Sequence, residues 1–356
     1  ILLVETEKEI DAKKLIARLG GTIKIGEIIE ETKKLHKDNL LNIIISAKMP
    51  PREGKYKFGF SNYSKKKLPL KPLAMEYKKY LKSKGVSCRW VISREPILSS
   101  VVVGQNKLDQ KGAEFVFIEN GQKLLVGKTL AVQPFKDLSR RDYGRPARDD
   151  RSGMLPPKLA QVMINLSGIK PGENVKLLDP FCGSGTVLME SALIGYEDLI
   201  GTDISEKAIN DTKINLEWLK EKFLILNSSF LIKKLSATSL SNELKPNSID
   251  AIITEPYLGP QRGQIDLNRV VTELNDLYSK SIKEFYTILK PGGRVVMILP
   301  LIHAGSRKKQ VNPEFFKFKE INILSELNNI NFSHNGNLLY GRKGQKVWRR
   351  ITILQK

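Results

Sequence analysis

The stretch Lys176-Leu177-Leu178-Asp179-Pro180-Phe181-Cys182-Gly183-Ser184-Gly185-Thr186 decides the fold. An apolar run ends in an acid and passes at once into a glycine-rich turn, and a helical pattern, Val187 to Ile194, opens behind it. The order is strand, tight loop, helix. Gly183 and Gly185 carry no Cβ, so the loop can bend sharply and let a ligand lie against its backbone. A second apolar run, Asp198-Leu199-Ile200-Gly201-Thr202-Asp203, ends in another acid. An acid at the end of the second strand of a doubly wound sheet can take both hydroxyls of a ribose. Two acids at successive strand ends around a glycine loop describe a nucleoside pocket.

The spacing narrows the ligand. Gly183-Ser184-Gly185 has neither the longer glycine pattern of dinucleotide folds nor the Gly-Lys-Ser/Thr of phosphate loops. Asp179 stands just before the glycines, where it repels a diphosphate and attracts a cationic or amino-bearing ligand. S-adenosylmethionine has a ribose, an α-amino group and a sulfonium, and no phosphate.

The remainder of the second half keeps alternating. Ser248-Ile249-Asp250-Ala251-Ile252-Ile253-Thr254 reads as a buried β-branched strand. It runs into Glu255-Pro256-Tyr257-Leu258-Gly259-Pro260 and then into an amphipathic pattern from Asn268 to Leu289. Lys290-Pro291-Gly292-Gly293 reads as a helix stop and turn, and Arg294 to Leu299 as another strand. Leu338-Leu339-Tyr340 and Val347 to Leu354, around Gly341-Arg342-Lys343-Gly344, read as a closing hairpin. Strands alternating with helices predict an α/β fold with a sheet layered on both faces.

These residues resemble a known family. Asp179 to Thr186, Asp203 and the acid-Pro turn are similar to the class I S-adenosylmethionine-dependent amino-methyltransferases, with their Rossmann-like sheet. The sharper likeness is to the archaeal and eukaryotic family that methylates N2 of guanosine 10 in tRNA, which joins a THUMP RNA-binding region to such a domain. Arg145-Pro146 and Met154-Leu155-Pro156-Pro157-Lys158-Leu159-Ala160-Gln161-Val162-Met163-Ile164-Asn165-Leu166 resemble its helix before the first strand. Leu19-Gly20-Gly21-Thr22-Ile23-Lys24-Ile25 and Ser93-Arg94-Glu95-Pro96 resemble parts of its N-terminal region. The resemblance implies S-adenosylmethionine as cofactor, held by Asp179, Pro180, Phe181, Cys182, Gly183, Ser184, Gly185, Thr186, Asp203, Ile204, Ala237 and Glu255. It implies tRNA as partner.

The family's Asp-Pro-Pro-Tyr is altered here. A gapless reading from Asp250 places Glu255 at the acid, Pro256 at the first Pro, Tyr257 at the second Pro and Leu258 at the Tyr. A register with Thr254 at the acid would keep Pro256-Tyr257 aligned and lose the carboxylate. In the first register the catalytic set is Glu255, Pro256 and Tyr257. The exocyclic amine of guanine is a poor nucleophile, because its lone pair is delocalised into the ring. Glu255 accepts an N–H bond and localises that pair, the Pro256 ring stiffens the turn, and Tyr257 stacks on the base. Placing the amine in line with the methyl group is worth several kcal/mol, about 7 at the low end.

Charge supports a polyanionic partner. The chain has 59 Lys and Arg against 38 Asp and Glu, a formal net charge of +21. From Lys48 to Arg94 there are 14 basic and 2 acidic residues. Lys65, Lys66, Lys67, Lys78, Lys82, Lys84, Arg89 and Arg94 read as RNA phosphate contacts, which set affinity and position but not sequence. Among the interleaved aromatics, Tyr56, Phe58 and Phe60 alternate as a half-buried strand does, so core is their expected role.

At 356 residues the chain suits two or three domains. The expected division is an α+β, ferredoxin-like unit over 1–50 and a THUMP-like RNA-binding domain over 51–135. A linker over 136–153 and a methyltransferase domain over 154–356 follow. The first unit is expected to hold strands and a helix from Glu9 to Leu19. The second is expected to hold a helix from Pro72 to Gly85 and strands Cys88 to Ile92 and Glu114 to Ile118. Two distant cysteines, Cys88 and Cys182, offer no disulfide framework and fit a reduced cytoplasm. His36, His303 and His334 lack metal-ligand spacing and read as surface or turn residues; no metal is expected. No apolar run reaches membrane length, and no leader pattern is visible after Ile1. Two other readings compete: a DNA amino-methyltransferase, which shares the glycine loop and the acid-Pro turn, and a non-catalytic RNA-binding protein that keeps the fold.

Overall fold

The computed structural model describes residues 1–49, 54–149, 153–172, 174–225, 227–260, 266–304, 307–322, 338–342 and 344–356. The chain divides into two units, Ile1–Asp137 and Leu138–Lys356.

The first unit runs α1 (Ala12–Arg18), β1 (Lys24–Thr32), α2 (Lys37–Ser46), β2 (Tyr56–Asn62), α3 (Leu70–Ser83), β3 (Cys88–Val91), α4 (Ser100–Gln105), β4 (Ala113–Asn120) and β5 (Lys123–Val132). Its strands form one sheet in the order β1-β5-β4-β2-β3. Residues 1–50 and 51–135 therefore do not divide as expected. The reason is a buried charge. Glu114 on β4 is fully buried and takes hydrogen bonds from Lys24 Nζ on β1 at 2.5 Å, Thr129 Oγ1 on β5 at 2.6 Å and Ser61 Oγ on β2. A buried carboxylate is tolerated only when so paired, and this one ties four strands together. Tyr56, Phe58 and Phe60 are core, as expected from their alternation. Residues 37–46 form α2 rather than a strand: Leu40, Ile43 and Ile44 lie on one helical face against that core. Lys65, Lys67, Lys82, Lys84, Arg89 and Arg94 are exposed, while Lys66 and Lys78 are half-buried.

Helix α5 (Phe135–Tyr143) begins at the end of the first unit. It and the residues after it were expected to be linker. Instead Arg141 and Arg145 are buried in the second unit at 4% and 3% exposure. The few apolar residues of this segment hid two arginines that fold inward because acceptors wait for them.

The second unit continues with α6 (Pro157–Leu166), β6 (Lys176–Asp179), α7 (Thr186–Ile194), β7 (Asp198–Asp203), α8 (Glu206–Phe223), β8 (Ser229–Lys234), β9 (Ile249–Thr254), α9 (Leu267–Ile288), β10 (Leu289–Ala304), β11 (Arg307–Gln310), β12 (Lys319–Glu320), β13 (Leu338–Tyr340) and β14 (Val347–Gln355). The sheet order is β12-β14-β10-β9-β6-β7-β8, with β11 paired to β10 and β13 to β14. β8, β7, β6, β9 and β10 are parallel, and β14 is antiparallel to β10. The middles of β6 and β9, Leu177-Leu178 and Ala251-Ile252-Ile253, are apolar and buried because both faces of the sheet are covered. The chain leaves β6 toward β7 on one side and returns as β9 on the other. That switch point opens a crevice at the carboxyl ends of the strands. Lys290 to Gly293, expected as a turn, lie inside β10 at a break in its register with β9, where Gly292 takes φ +78°. His303 is a strand residue with its ring 5.4 Å from Trp348, rather than a turn residue. His334 and Lys343 lie outside the described residues.

Helix α7 is buried on nearly every side and carries Glu190 at 1% exposure. Arg141 Nε and Nη2 donate to its two oxygens at 2.6 and 3.1 Å, and Gln161 Nε2 donates at 2.9 Å. Removing one partner of such a pair strands the other charge. We expect Arg141→Met to cost about 3–5 kcal/mol in denaturant unfolding of the second unit, and Arg141→Met with Glu190→Leu to recover most of it.

Candidate active site at the carboxyl edge of the sheet

Three acids stand at the carboxyl ends of neighbouring strands. Asp179 ends β6, Asp203 ends β7, and Glu255 follows β9. The register sets their heights: Asp179 is level with Gly201, and Leu178 with Ile252.

Asp179 is 2% exposed. Its Oδ1 accepts from Thr254 Oγ1 at 2.7 Å and from the Phe181 N–H at 3.2 Å. Burial pushes its carboxyl up to about 7, against the pull of those two bonds, and the charges of Asp203 and Glu255 push the same way. The site is thus a field that favours a cation. Asp203 is half-buried and accepts from the Gly183 N–H at 3.1 Å on Oδ2 and from the Ser205 N–H at 2.9 Å on Oδ1. Each oxygen keeps a lone pair for a further donor.

The loop between them is held from behind. Gly183 and Gly185 take φ +53° and +85°, which L side chains avoid. A Cβ on Gly183 would meet nothing within 4 Å, so open space lies against that backbone. A Cβ on Gly185 would press on the Thr212 side chain at 3.2 Å. Thr212 Oγ1 donates to the Gly183 carbonyl at 2.8 Å, and Asn215 Nδ2 to the Ser184 carbonyl at 2.8 Å, both from α8. Arg145 Nη1 donates to Thr186 Oγ1 at 2.7 Å. Pro180, Cys182, Ser184, Thr186 and Ala237 have buried side chains, so they can offer a ligand little but backbone. Burial also raises the Cys182 thiol, and that thiol packs in the core. Phe181 is half-buried, and Ile204 is 73% exposed beside Asp203.

Glu255 is paired with a residue that sequence reading missed. Arg349, on β14, meets it with Nε on Oε1 and with Nη2 3.4 Å from Oε2. Burial raises the Glu255 carboxyl, and the Arg349 guanidinium opposes that shift. Nothing local marks Arg349 out, since 94 residues separate the partners and only the β10–β14 pairing brings them together. Pro256 is buried, Tyr257 is 56% exposed, and Leu258 is 6% exposed in the core. The aromatic facing solvent in this turn is Tyr257, with its carbonyl taking the Tyr278 hydroxyl at 2.5 Å. Among the described residues no group of His, Cys, Asp and Glu is arranged to hold a metal. Nor is any helix among them long and apolar enough to cross a membrane.

The comparisons with known proteins converge on methyl transfer. A family model described as an RMKL-like methyltransferase domain matches residues 145–304. A model described as DNA methylase matches residues 24–214, just over half the chain. The tRNA (guanine(10)-N2)-dimethyltransferase of Methanocaldococcus jannaschii is 40% identical over 154 residues, 40% of this chain and 42% of that protein. The probable tRNA (guanine(10)-N2)-dimethyltransferase of Methanothermococcus thermolithotrophicus is 31% identical over 176 residues, 48% of this chain and 93% of that protein. The tRNA (guanine(6)-N2)-methyltransferase of Thermus thermophilus is 28% identical over 180 residues, 50% of this chain and 47% of that protein. The matched region spans 39% to 49% of the length of the first curated relatives.

An acid whose folded value is raised weakens the fold as pH rises from its unfolded value, 3.8, to its folded one, about 7. Asp179→Asn keeps the Thr254 bond without that cost. We expect it to stabilise the protein by about 1–3 kcal/mol at pH 8 and to flatten the decline in stability between pH 4 and 7. Calorimetric unfolding across pH checks this. The same variant should lose its affinity for a cationic ligand.

Proposed function

Because the chain belongs to the class I S-adenosylmethionine-dependent amino-methyltransferases, within the tRNA guanine-N2-methyltransferase family, we propose that it transfers a methyl group from S-adenosylmethionine to N2 of a guanosine in tRNA. Guanosine 10 is the position named for four of the relatives. The observation that carries the reading is the triad of strand-end acids around an open glycine loop that lacks a phosphate-binding pattern.

The residues present fit the cofactor. When bound, S-adenosylmethionine supplies an electrophilic methyl on a sulfonium sulfur. Asp179 holds the amino end: both of its bonds fall on Oδ1, which leaves Oδ2 for an ammonium. Asp203 takes the ribose hydroxyls on the lone pairs its two backbone bonds leave free. Gly183 lets the ligand approach the loop, and Ile204 gives the adenine an apolar edge.

Glu255 acts on the target amine. Its Oε2, the oxygen more loosely held by Arg349, accepts an N–H of the exocyclic amine and draws the nitrogen lone pair out of the ring. As positive charge develops on that nitrogen, the carboxylate stabilises it, and the proton released has Oε2 as its first acceptor. Arg349 is a positioning residue whose guanidinium opposes the rise that burial imposes on Glu255. Tyr257 stacks on the base, and Pro256 stiffens the turn that presents both. In the N-terminal unit, Lys65, Lys66, Lys67, Lys78, Lys82, Lys84, Arg89 and Arg94 bind the RNA backbone, as a THUMP-type region would.

The match to a DNA methylase model gives a second substrate its support, so tRNA and duplex DNA belong in one assay. Nucleoside mass spectrometry with methyl-labelled cofactor should find N2-methylguanosine from tRNA and no methylated base from DNA. Methyladenine or methylcytosine from the DNA alone would replace the tRNA reading, and failure to bind the cofactor would replace both with a binding protein.

Two variants test the roles. Glu255→Gln should slow single-turnover methyl transfer about 10²–10³-fold with cofactor and tRNA affinity nearly unchanged. Wild-type speed would move the acceptor role elsewhere, first to the Thr254 carbonyl. Arg349→Met removes the charge that holds Glu255 down, so the acidic limb of the pH–rate profile should move to higher pH. An unmoved limb with a merely lower plateau would make Arg349 a packing residue.

A further inference from the structure

Strand β10 is 16 residues long, yet its pairing with β9 ends at Met297, opposite Thr254. The seven residues from Ile298 to Ala304 run on past the parallel strands, roughly 20 Å of chain at the usual rise. β11 pairs along one side of this extension, from Leu301↔Gln310 to Ala304↔Arg307. β14 pairs along the other, from Ile298↔Ile351 to Ile302↔Val347, and β13 lies outside β14 with Tyr340 opposite Arg349. The result is a ribbon, β11-β10-β14-β13, standing at the carboxyl edge. Its root is fastened to the acid-Pro turn by the Arg349–Glu255 pair. Trp348 stiffens it: the Gly341 backbone lies so close that a Cβ there would come within 2.4 Å of the indole.

Its charge is one-sided. Residues 307–356 hold 11 Lys and Arg against three Asp and Glu. Arg307, Lys308 and Arg342 are exposed and form no ion pair among the described residues. Lys309 by contrast is engaged by Asn268 Oδ1 at 2.5 Å. The described acids lie away from the tip, since Glu320 pairs with Leu354 at the far end of β14 and Glu314 is bonded to Ser279. Among the described residues of the second unit nothing neutralises these three cations.

We propose that this ribbon is a second RNA-contact surface, carried by the methyltransferase unit itself. Arg307, Lys308 and Arg342 take the backbone phosphates that flank the target nucleotide. The inference rests on the reading of the chain as an RNA methyltransferase. It assigns to the catalytic unit a share of the grip that the basic N-terminal unit would otherwise supply alone. Phosphate contacts beside the flipped base hold its neighbours while the base itself leaves the stack.

The test uses the whole chain and unmodified tRNA. Binding is followed from 50 to 300 mM salt for the wild type and for the triple variant Arg307→Gln, Lys308→Gln, Arg342→Gln. A control of equal charge carries Lys158→Gln, Lys213→Gln and Lys222→Gln, exposed residues of α6 and α8. The ribbon variant should flatten the log–log salt slope by about one unit for each phosphate it no longer neutralises, two to three in all. It should raise KM for tRNA and keep wild-type cofactor affinity and thermal midpoint; the control should keep the wild-type slope. A ribbon variant with the wild-type slope overturns the proposal, as does a control that flattens the slope equally, which would make net charge the cause. If the ribbon variant unfolds, Lys308→Gln alone must still lower the slope by about one unit. A wild type that methylates tRNA while its ribbon variant behaves normally overturns this inference and leaves the function standing. A wild type that methylates no RNA overturns the function itself.

Discussion

Burial of the Asp179 carboxyl is the constraint on which the site depends. A carboxylate at the end of β6 has lost its water, and the Thr254 hydroxyl and the Phe181 N–H offset only part of that loss. The two neighbouring acids make matters worse. A protein selected for stability alone would put an amide here. On the proposed function the arrangement is a socket whose missing positive charge arrives with the ligand, so folding stability is spent on binding. Everything around Asp179 keeps that socket open. The positive φ of Gly183 and Gly185, the Thr212 and Asn215 bonds to the loop carbonyls and the clasp of Arg145 on Thr186 all stop the loop from collapsing onto the acid.

Glu255 faces the same physics and meets it differently. Its carboxylate is also out of water, but a guanidinium from β14 stands against it. Burial raises both acids, and Glu255 alone of the two has a guanidinium opposing the rise. In the proposed reaction that contrast separates two tasks at one sheet edge: attracting a cation, and facing a nitrogen that becomes positive. Leu258 packs in the core, while Tyr257 faces outward at the mouth.

The antiparallel end of the sheet does more than close the fold. Strand β14 supplies Arg349 to the site, and together with β10 it carries cations out beyond the edge. On the proposed reading catalytic geometry and substrate grip share one element, so a register slip between β10 and β14 would disturb both at once.

Much of this was legible before any fold was known. The β6–α7 turn, the acids that end β6 and β7, the alternation of strands and helices and the amphipathic run of α9 follow from short-range pattern, because local sterics and hydrophobic period determine them. The strand Tyr56–Phe58–Phe60 was legible for the same reason. Long-range pairing decided the rest. The division at residue 50 vanished because Glu114 draws Lys24, Ser61 and Thr129 onto one sheet. The stretch after Lys136 read as linker because a polar composition does not reveal that Arg141 and Arg145 will meet Glu190 and Thr186. Arg349 was invisible beside Glu255, and β10 read as six residues rather than sixteen, because only partner strands tell a chain how far to stay extended. Sequence alone determined the local strands and turns that carry Asp179, Asp203 and Glu255, because sterics and hydrophobic period act over short range. Tertiary structure decided how each acid's affinity for its proton is shifted, since that depends on the water each has lost and the distant partner it has found.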